Sequence, residues 1–133
     1  NPQRAVGSVK RILVADDEAG IIVHLGEMLR CKGFQVIVAR DGRQALALAK
    51  RHEPHLLILD LMMPELDGLQ TLERLREHPR FRKLPVWLYT GRSLGDQESR
   101  RLALHAVPVL SKVEHQALLR KLDETFPGTA SLS

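Results

Sequence analysis

The sequence is poor in cysteine and in aromatic residues, and it contains no long hydrophobic run. Cys31 is the single cysteine of 133 residues, which excludes an internal disulfide and favours a reducing, cytoplasmic location. Because Cys31 lies in an apolar helical stretch, we predict a buried structural thiol. No apolar run is long enough to span a membrane and no signal peptide is visible, so we expect neither membrane insertion nor secretion. Aromatic residues make up 4% of the chain, so the predicted core is aliphatic.

The apolar residues that are present suffice for one compact domain. They make up 44% of a chain whose length is close to the commonest domain size. We place the domain at residues 9–126, after a short tail at residues 1–8. Residues 127–133 read Pro-Gly-Thr-Ala-Ser-Leu-Ser, which is the composition of a linker or tail.

Short apolar runs suited to strands alternate about five times with segments of helical periodicity. The alternation predicts an α/β fold, with a parallel sheet, right-handed crossovers and helices on both faces. Gly33 and Asp67 are placed to end the first helix and to begin the third. The predicted strands cover residues 10–16, 34–39, 56–59, 86–90 and 107–110, and the predicted helices cover residues 19–32, 42–52, 67–78, 96–104 and 114–126.

Carboxylates stand where two of the predicted strands end. The aliphatic run at residues 56–59 stops at Asp60, and the run at residues 12–15 stops at Asp16 and Asp17. The carboxyl ends of parallel strands lie at one edge of the sheet, so we expect these side chains to meet there. Each pair of carboxylates about 5 Å apart would repel by roughly 3 kcal/mol at an effective dielectric constant of ~20.

Such a cluster requires cations. Lys112, just past the fifth strand, supplies one, and a hard divalent metal bound by oxygen, for which Mg²⁺ is the best candidate, supplies the rest. Asp60 would then act as a nucleophile toward phosphorus, and Thr90 at the end of the fourth strand would offer a hydroxyl hydrogen bond.

In these residues the sequence closely resembles the receiver domain of two-component response regulators. The resemblance covers about residues 9–126 and rests on the order and spacing of several motifs together. It implies a flavodoxin-like, doubly wound sheet of five parallel strands in the order 2-1-3-4-5. The matching motifs are Asp16-Asp17-Glu18, Asp60-Leu61-Met62-Met63-Pro64-Glu65-Leu66-Asp67-Gly68, Thr90-Gly91 and Lys112.

The resemblance also implies a function and a set of partners. A histidine kinase or a histidine phosphotransfer domain would phosphorylate Asp60, and the chain would act as a conformational switch. It would not be an enzyme beyond self-phosphorylation and self-dephosphorylation. Mg²⁺ would be held by Asp17, Asp60 and the main-chain carbonyl of Met62, with Asp16 assisting through water. An output domain or self-association would use the face formed by the fourth helix, fifth strand and fifth helix.

The sequence departs from the family pattern in two places. Lys112 is followed by Val113, where many receivers have a proline with a cis bond, so the bond here is expected to be trans or strained. Val109 stands where the family usually carries an aromatic side chain that rotates when the threonine moves, which predicts a weakened readout. The Val-Leu-Ser-Lys pattern also resembles receivers attached to hybrid sensor kinases.

Met62 and Arg92 occupy the two positions that flank the path of the hydrolytic water in the family. Met62 cannot orient a water molecule, and the long cationic Arg92 can lie over the phosphoryl oxygens. We therefore predict slow self-dephosphorylation, of the kind that suits gene regulation or a relay.

Other functions remain open at this stage. A Mg²⁺-dependent phosphohydrolase would also use an aspartyl nucleophile, although Asp60 does not begin an Asp-x-Asp motif. A degenerate receiver that acts as a phosphate-independent interaction scaffold is supported only by Val109 and Val113. Direct nucleic-acid binding is not expected despite a net charge of +4, because the basic residues are scattered and no DNA-reading motif follows. The histidines lack the spacing of a zinc site, and Trp87 and Tyr89 are interpreted as packing residues.

Overall fold

The structure, a computed structural model, describes residues 9–127. The tail predicted at residues 1–8 and nearly all of the linker predicted at residues 127–133 lie outside the described residues. Within the described range, five strands alternate with five α-helices and one short 3₁₀ helix at Pro79–Phe81. In chain order the strands and α-helices are β1 (Arg11–Ala15), α1 (Ala19–Cys31), β2 (Gln35–Ala39), α2 (Gly42–His52), β3 (Leu56–Leu59), α3 (Gly68–Glu77), β4 (Val86–Thr90), α4 (Asp96–Ala103), β5 (Val109–Ser111) and α5 (His115–Thr125).

All neighbouring strands are parallel, and their order in the sheet is β2-β1-β3-β4-β5. Strand β3 lies at the centre, where Leu57 pairs with Leu13 of β1 and with Val86 of β4. Every residue of β3 is buried, as expected of an apolar strand covered on both faces. The observed order confirms the predicted flavodoxin-like sheet.

Alternate residues of each strand point into two separate cores. In β1, Leu13 and Ala15 contact the core under α2, α3 and α4, whereas Ile12 and Val14 contact the core under α1 and α5. The helices complete the first core with Ala45, Ala49, Leu69, Leu72, Leu75 and Leu102, and the second with Leu25, Leu29, Leu118 and Leu122. Trp87 and Tyr89 of β4 are buried in the second core, which confirms their packing role.

Local signals set several element boundaries. Asp67 caps α3 by accepting the Gln70 N–H at 2.8 Å, and the Gln70 side chain accepts the Asp67 N–H at 3.0 Å. Gly33 follows α1 with a φ of 95°, a conformation that favours glycine. Strand β5 begins two residues later than predicted, at Val109. The reason is Pro108, which has no backbone N–H to donate to the sheet.

The prediction of a buried Cys31 is wrong, because the thiol side chain is exposed. The buried residues of α1 are Leu25, Gly26 and Leu29. Cys31 lies two residues beyond Leu29, which is about 200° around the helix and so on the solvent face. Within residues 9–127, no helix combines the length and apolarity needed to cross a membrane.

Candidate functional site

The carboxylates of Asp16 and Asp60 lie next to each other at the carboxyl edge of the sheet. Asp16 directly follows β1 and Asp60 directly follows β3, and these strands are neighbours. The Asp60 N–H donates to the carbonyl of Ala15 at 2.8 Å, which extends the ladder up to the two acids. Both residues are buried, with exposed fractions of 2% for Asp16 and 4% for Asp60. Asp17 is exposed, yet one oxygen from each of the three carboxylates lies within 4.8 Å of the others.

Lys112 neutralises part of this negative charge. Its Nζ lies 2.8 Å from Asp16 Oδ2, 3.3 Å from Asp60 Oδ1 and 3.1 Å from Glu18 Oε1. The Lys112 N–H donates to the carbonyl of Thr90 at 2.9 Å, so the lysine is positioned by the end of β4. The contact with Glu18 was not predicted, since nothing in the spacing shows which way an exposed carboxylate turns.

Burial and mutual proximity change the acidity of these groups. Burial and the charge of Asp16 raise the pKa of Asp60 from its ordinary 3.8 to about 6, against the opposing effect of Lys112. Burial alone would lower the pKa of Lys112, but hydrogen bonds to Asp16 and Glu18 and the charge of Asp60 outweigh it and raise that pKa. The ammonium therefore stays charged, while the ionised form of Asp60 is disfavoured in the metal-free chain.

The donor set fits Mg²⁺. Three carboxylates (−3) against one ammonium (+1) leave a net charge of −2 in the cluster. Oxygen ligands of this kind are the ones that hard divalent cations prefer, and Mg²⁺ usually combines one or two carboxylates with water. Besides the larger effects of burial, Asp16 and Lys112, the backbone N–H of Met62 slightly lowers the pKa of Asp60, so Met62 lies close to the cluster.

Hydrogen bonds to backbone carbonyls fix the two loops that carry Asp60 and Asp17. The Gly68 N–H donates to the carbonyl of Leu61 at 2.8 Å, which brings the start of α3 against the end of β3. Glu65, at the turn of this loop, has a φ of 70°. On the other side of the cluster, Arg40 Nη2 donates to the carbonyl of Asp17 at 2.9 Å and orients the loop after β1.

The family model of the response regulator receiver domain matches residues 12–123. The chain belongs to this family. Among curated relatives, it is 38% identical over 103 residues to response regulator GtcR of Aneurinibacillus migulanus, which covers 77% of this chain and 41% of that protein. It is 35% identical over 119 residues to the probable transcriptional regulator ycf27 of Cyanophora paradoxa, which covers 85% of this chain and 48% of that protein. The curated relatives are longer, and the matches to them span between 28% and 48% of their length.

Solved receiver domains share the fold. The receiver domain of a sensor histidine kinase from Pseudomonas aeruginosa PAO1 superposes with a TM-score of 0.78 at 25% identity, covering 90% of this chain and 98% of that one. In that structure a magnesium ion is coordinated in the active-site cleft. The N-terminal domain of a response regulator receiver protein from Methanoculleus marisnigri JR1 gives a TM-score of 0.72 at 30% identity, over 88% of this chain and 96% of that one. Family membership confirms the predicted resemblance and places the chain in two-component signalling.

Arg92 of this receiver lines a cleft beside the carboxylates, together with Asp17 and Met62, and Glu98 holds it there. Its guanidinium forms two hydrogen bonds to the Glu98 carboxylate, at 2.9 and 2.6 Å. Its Nε donates to Met62 Sδ at 3.1 Å, and its backbone N–H donates to Thr90 Oγ1 at 3.3 Å. The sequence placed Arg92 and Met62 near the phosphoacceptor, but it did not indicate that Glu98 holds the arginine.

The receiver domain also departs from its family at β5. Val109 is exposed at 41%, and it lines a surface depression of about 310 Å³ together with Thr90. Val113 is exposed at 84%, and the peptide bonds of the described residues, the Lys112–Val113 bond among them, are all trans. The lysine therefore reaches the carboxylates without the cis bond that many receivers have at this point.

Proposed function

We propose that this receiver takes a phosphoryl group onto Asp60 from the phosphohistidine of a histidine kinase or a histidine phosphotransfer domain, in a Mg²⁺-dependent reaction. The modified residue then shifts the chain between two surface conformations. The observation that carries the proposal is a buried Asp60 carboxylate that shares one lysine with Asp16. A purely structural pair would need no further carboxylate, yet Asp17 adds a third.

The side chains have complementary roles in the transfer. An oxygen of Asp60 forms a bond to phosphorus while the P–N bond of the donor breaks, and the imidazole leaves with the electron pair and takes up a proton. Lys112 balances the charge of the phosphoryl oxygens, and the Thr90 hydroxyl donates a hydrogen bond to one of them.

The metal site consists of Asp17, Asp60 and the main-chain carbonyl of Met62, with Asp16 assisting through water. Mg²⁺ bound there would supply positive charge that balances the negative phosphoryl oxygens. The Asp16 carboxylate also keeps its contact with Lys112, so the lysine stays at the site when Asp60 is modified.

Met62 and Arg92 set the lifetime of the aspartyl phosphate. Neither side chain is a carboxylate or an amide that would hold the attacking water, and both lie at the open side of the cleft. A slow loss of phosphate follows, of the kind a gene-regulatory or relay receiver needs. Its output partner, or a second copy, would dock on the face formed by α4, β5 and α5, in the cytoplasm.

The test is incubation with a small phosphodonor such as acetyl phosphate and Mg²⁺, followed by intact mass spectrometry. Wild type is expected to gain one phosphoryl group, and the gain should disappear with a chelator or in Asp60→Asn. Asp123→Asn is the matched control, because it also replaces a carboxylate with an amide. The Asp123 carboxylate pairs with Lys32, and neither residue belongs to the site. This variant should be modified like wild type.

Two other outcomes would assign a different function. Intact wild type that takes up no phosphoryl group from acetyl phosphate or from a phosphorylated histidine kinase would point to the phosphate-independent scaffold. Repeated turnover of an added phosphoester would point to a phosphohydrolase. Modification that persists in Asp60→Asn would place the acceptor elsewhere.

A further inference from the structure

Arg92 and Glu98 form a bidentate ion pair that also caps a helix. The guanidinium contacts both carboxylate oxygens of Glu98. Glu98 Oε1 accepts the backbone N–H of Gly95 at 2.9 Å, at the residue just before α4. The same Glu98 carboxylate binds the arginine and caps the helix. If Arg92 moves, Glu98 loses a partner that fixes its position, and the cap of the first turn of α4 is weakened.

The arginine also lines a cleft beside the loop that follows the phosphoacceptor. Its contact with Met62 Sδ places the guanidinium next to the loop that follows Asp60. Arg92, Glu98, Met62 and Asp17 line one cleft of about 390 Å³. The hydrogen bond to Glu98 is the main cause that raises the pKa of Arg92, and the charge of Asp60 adds to it, so the guanidinium is close enough to feel both carboxylates.

Helix α4 is held by few contacts. Leu102 is its one buried residue, and two ion pairs at its surface join it to its neighbours: Glu98 with Arg92, and Arg101 with Glu73 of α3 at 2.9 and 2.5 Å. An element with so little buried apolar surface opens at low free energy. The loss of one cap contact is therefore enough to change the protection of its first turn.

We propose that Arg92 is a phosphate-responsive latch, which caps α4 through Glu98 in the unmodified chain and moves to the phosphoryl oxygens when Asp60 is phosphorylated. The inference rests on the proposed phosphorylation of Asp60. A phosphoryl group carries more negative charge than a carboxylate and offers three strong acceptor oxygens to the guanidinium fork. The latch links the site to α4 without the aromatic side chain that Val109 replaces.

Hydrogen exchange of the full chain, with and without acetyl phosphate and Mg²⁺, tests the latch. The extent of phosphorylation is measured in the same samples by intact mass. In wild type, phosphorylation is expected to speed exchange of the Gly95 amide about five-fold, which corresponds to ~1 kcal/mol. In Glu98→Ala, which removes the acceptor oxygen of the cap, the amide should exchange quickly already without phosphate, and phosphorylation should add little.

Arg92→Gln and Arg101→Gln form a matched pair. Both remove a guanidinium that is bidentate to a glutamate on or next to α4, but only Arg92 faces the cleft. Arg92→Gln should abolish the phosphate-dependent change at Gly95, whereas Arg101→Gln should keep it. Glu98→Ala removes the same contact from the other side if the arginine variant folds poorly.

The outcomes separate the two proposals. Fully phosphorylated wild type with unchanged exchange at Gly95 would overturn the latch and leave the proposed function standing. A phosphate-dependent change of equal size in Arg92→Gln would overturn it as well. If the mass measurement shows no phosphoryl group on Asp60, the proposed function fails and the latch fails with it.

Discussion

Gly68 packs directly on the backbone of Asp60. A Cβ added at Gly68 would overlap the carbonyl oxygen of Asp60, and it would lie 2.8 Å from the Cα of Leu61. The start of α3 and the phosphoacceptor strand therefore approach as closely as a side-chain-free residue allows. This position requires glycine because there is no room for a Cβ atom, and not because of an unusual φ.

Gly68→Ala is expected to lower the free energy of unfolding by about 2–4 kcal/mol, because the methyl group must push backbone atoms rather than a flexible side chain. Urea unfolding monitored by circular dichroism measures the change. Gly20→Ala is the matched control, since a Cβ there meets nothing within 4 Å in helix α1. It should raise stability by about 0.5–1 kcal/mol. Equal effects of the two substitutions would show that Gly68 is not constrained by contact with Asp60.

Asp60→Asn is expected to stabilise the metal-free chain at neutral pH by about 1–3 kcal/mol. Burial and Asp16 raise the pKa of Asp60 from 3.8 to about 6. Above that pH the Asp60 carboxylate is ionised in both states, and its ionisation requires more free energy in the folded chain than in the unfolded chain. Lys112 keeps Asp16 and Glu18 as partners in the variant, so no cation is left unpaired.

The sign of the pH dependence follows from the same shift. As pH falls through 6 toward 3.8, the folded wild type binds a proton before the unfolded chain does, so wild type gains stability and the advantage of the variant shrinks. Unfolding in chelator over this pH range measures the difference. Asp123→Asn, in a half-buried pair with Lys32 at the surface, should change stability by about 1 kcal/mol or less. An Asn variant less stable than wild type at neutral pH would contradict the prediction.

Mg²⁺ is expected to raise the free energy of unfolding of wild type, by about 1.4 kcal/mol at ten times its dissociation constant. One carboxylate oxygen each of Asp16, Asp17 and Asp60 lies within 4.8 Å of the others, and in the proposed site Asp17 and Asp60 bind the ion while Asp16 assists through water. Asp17→Asn should reduce the gain, because it removes a ligand without breaking the Lys112 contacts. Thermal unfolding at several Mg²⁺ concentrations gives the measurement. Equal stabilisation of wild type and Asp17→Asn would remove Asp17 from the metal site.

Much of the fold follows from local patterns in the sequence. The all-apolar run of β3 ends at Asp60 because a buried charge is tolerated only at the sheet edge, where Lys112 can reach it. Asp67 marks the start of α3 because aspartate is a good N-cap, and Gly33 marks the end of α1 because glycine readily adopts a positive φ. These signals are local, so one sequence suffices to read them.

The features that the sequence did not predict correctly are the direction in which a side chain points and contacts between side chains that are apart in the chain. Cys31 belongs to an apolar-looking stretch, yet its angle around α1 turns it to solvent. Glu18 contacts Lys112 from 94 residues away, and Glu98 contacts Arg92 across the turn that leads into α4. Side-chain pairs of this kind depend on the three-dimensional course of two loops, which no spacing in the chain reveals.

Phosphate analogues are expected to perturb β5 and α5 only weakly. Val109 is exposed beside a depression of about 310 Å³, so there is no ring to rotate toward Thr90. Amide chemical shifts with and without beryllofluoride and Mg²⁺ measure the response. Apart from Lys112 and its neighbours at the site, shifts at residues 100–122 should be clearly smaller than those around Asp60, while residues 92–99 respond through Arg92. Large shifts across residues 100–122 would show that the face is coupled by another route.

The aspartyl phosphate is expected to be long-lived, and Met62 and Arg92 are expected to control its decay. Met62 is exposed at 59% beside the cleft and offers only a thioether, while Arg92 carries a charge that favours the phosphorylated ground state. Met62→Asn and Arg92→Glu should each speed the loss of phosphate about ten-fold, the effect of ~1.4 kcal/mol that one positioned water-binding group can give. The decay is followed by intact mass after removal of the phosphodonor, with Arg101→Glu as the control for a charge reversal near α4. An unchanged or slower decay in the Met62→Asn and Arg92→Glu double variant would mean that neither side chain governs access of water to the phosphoryl group.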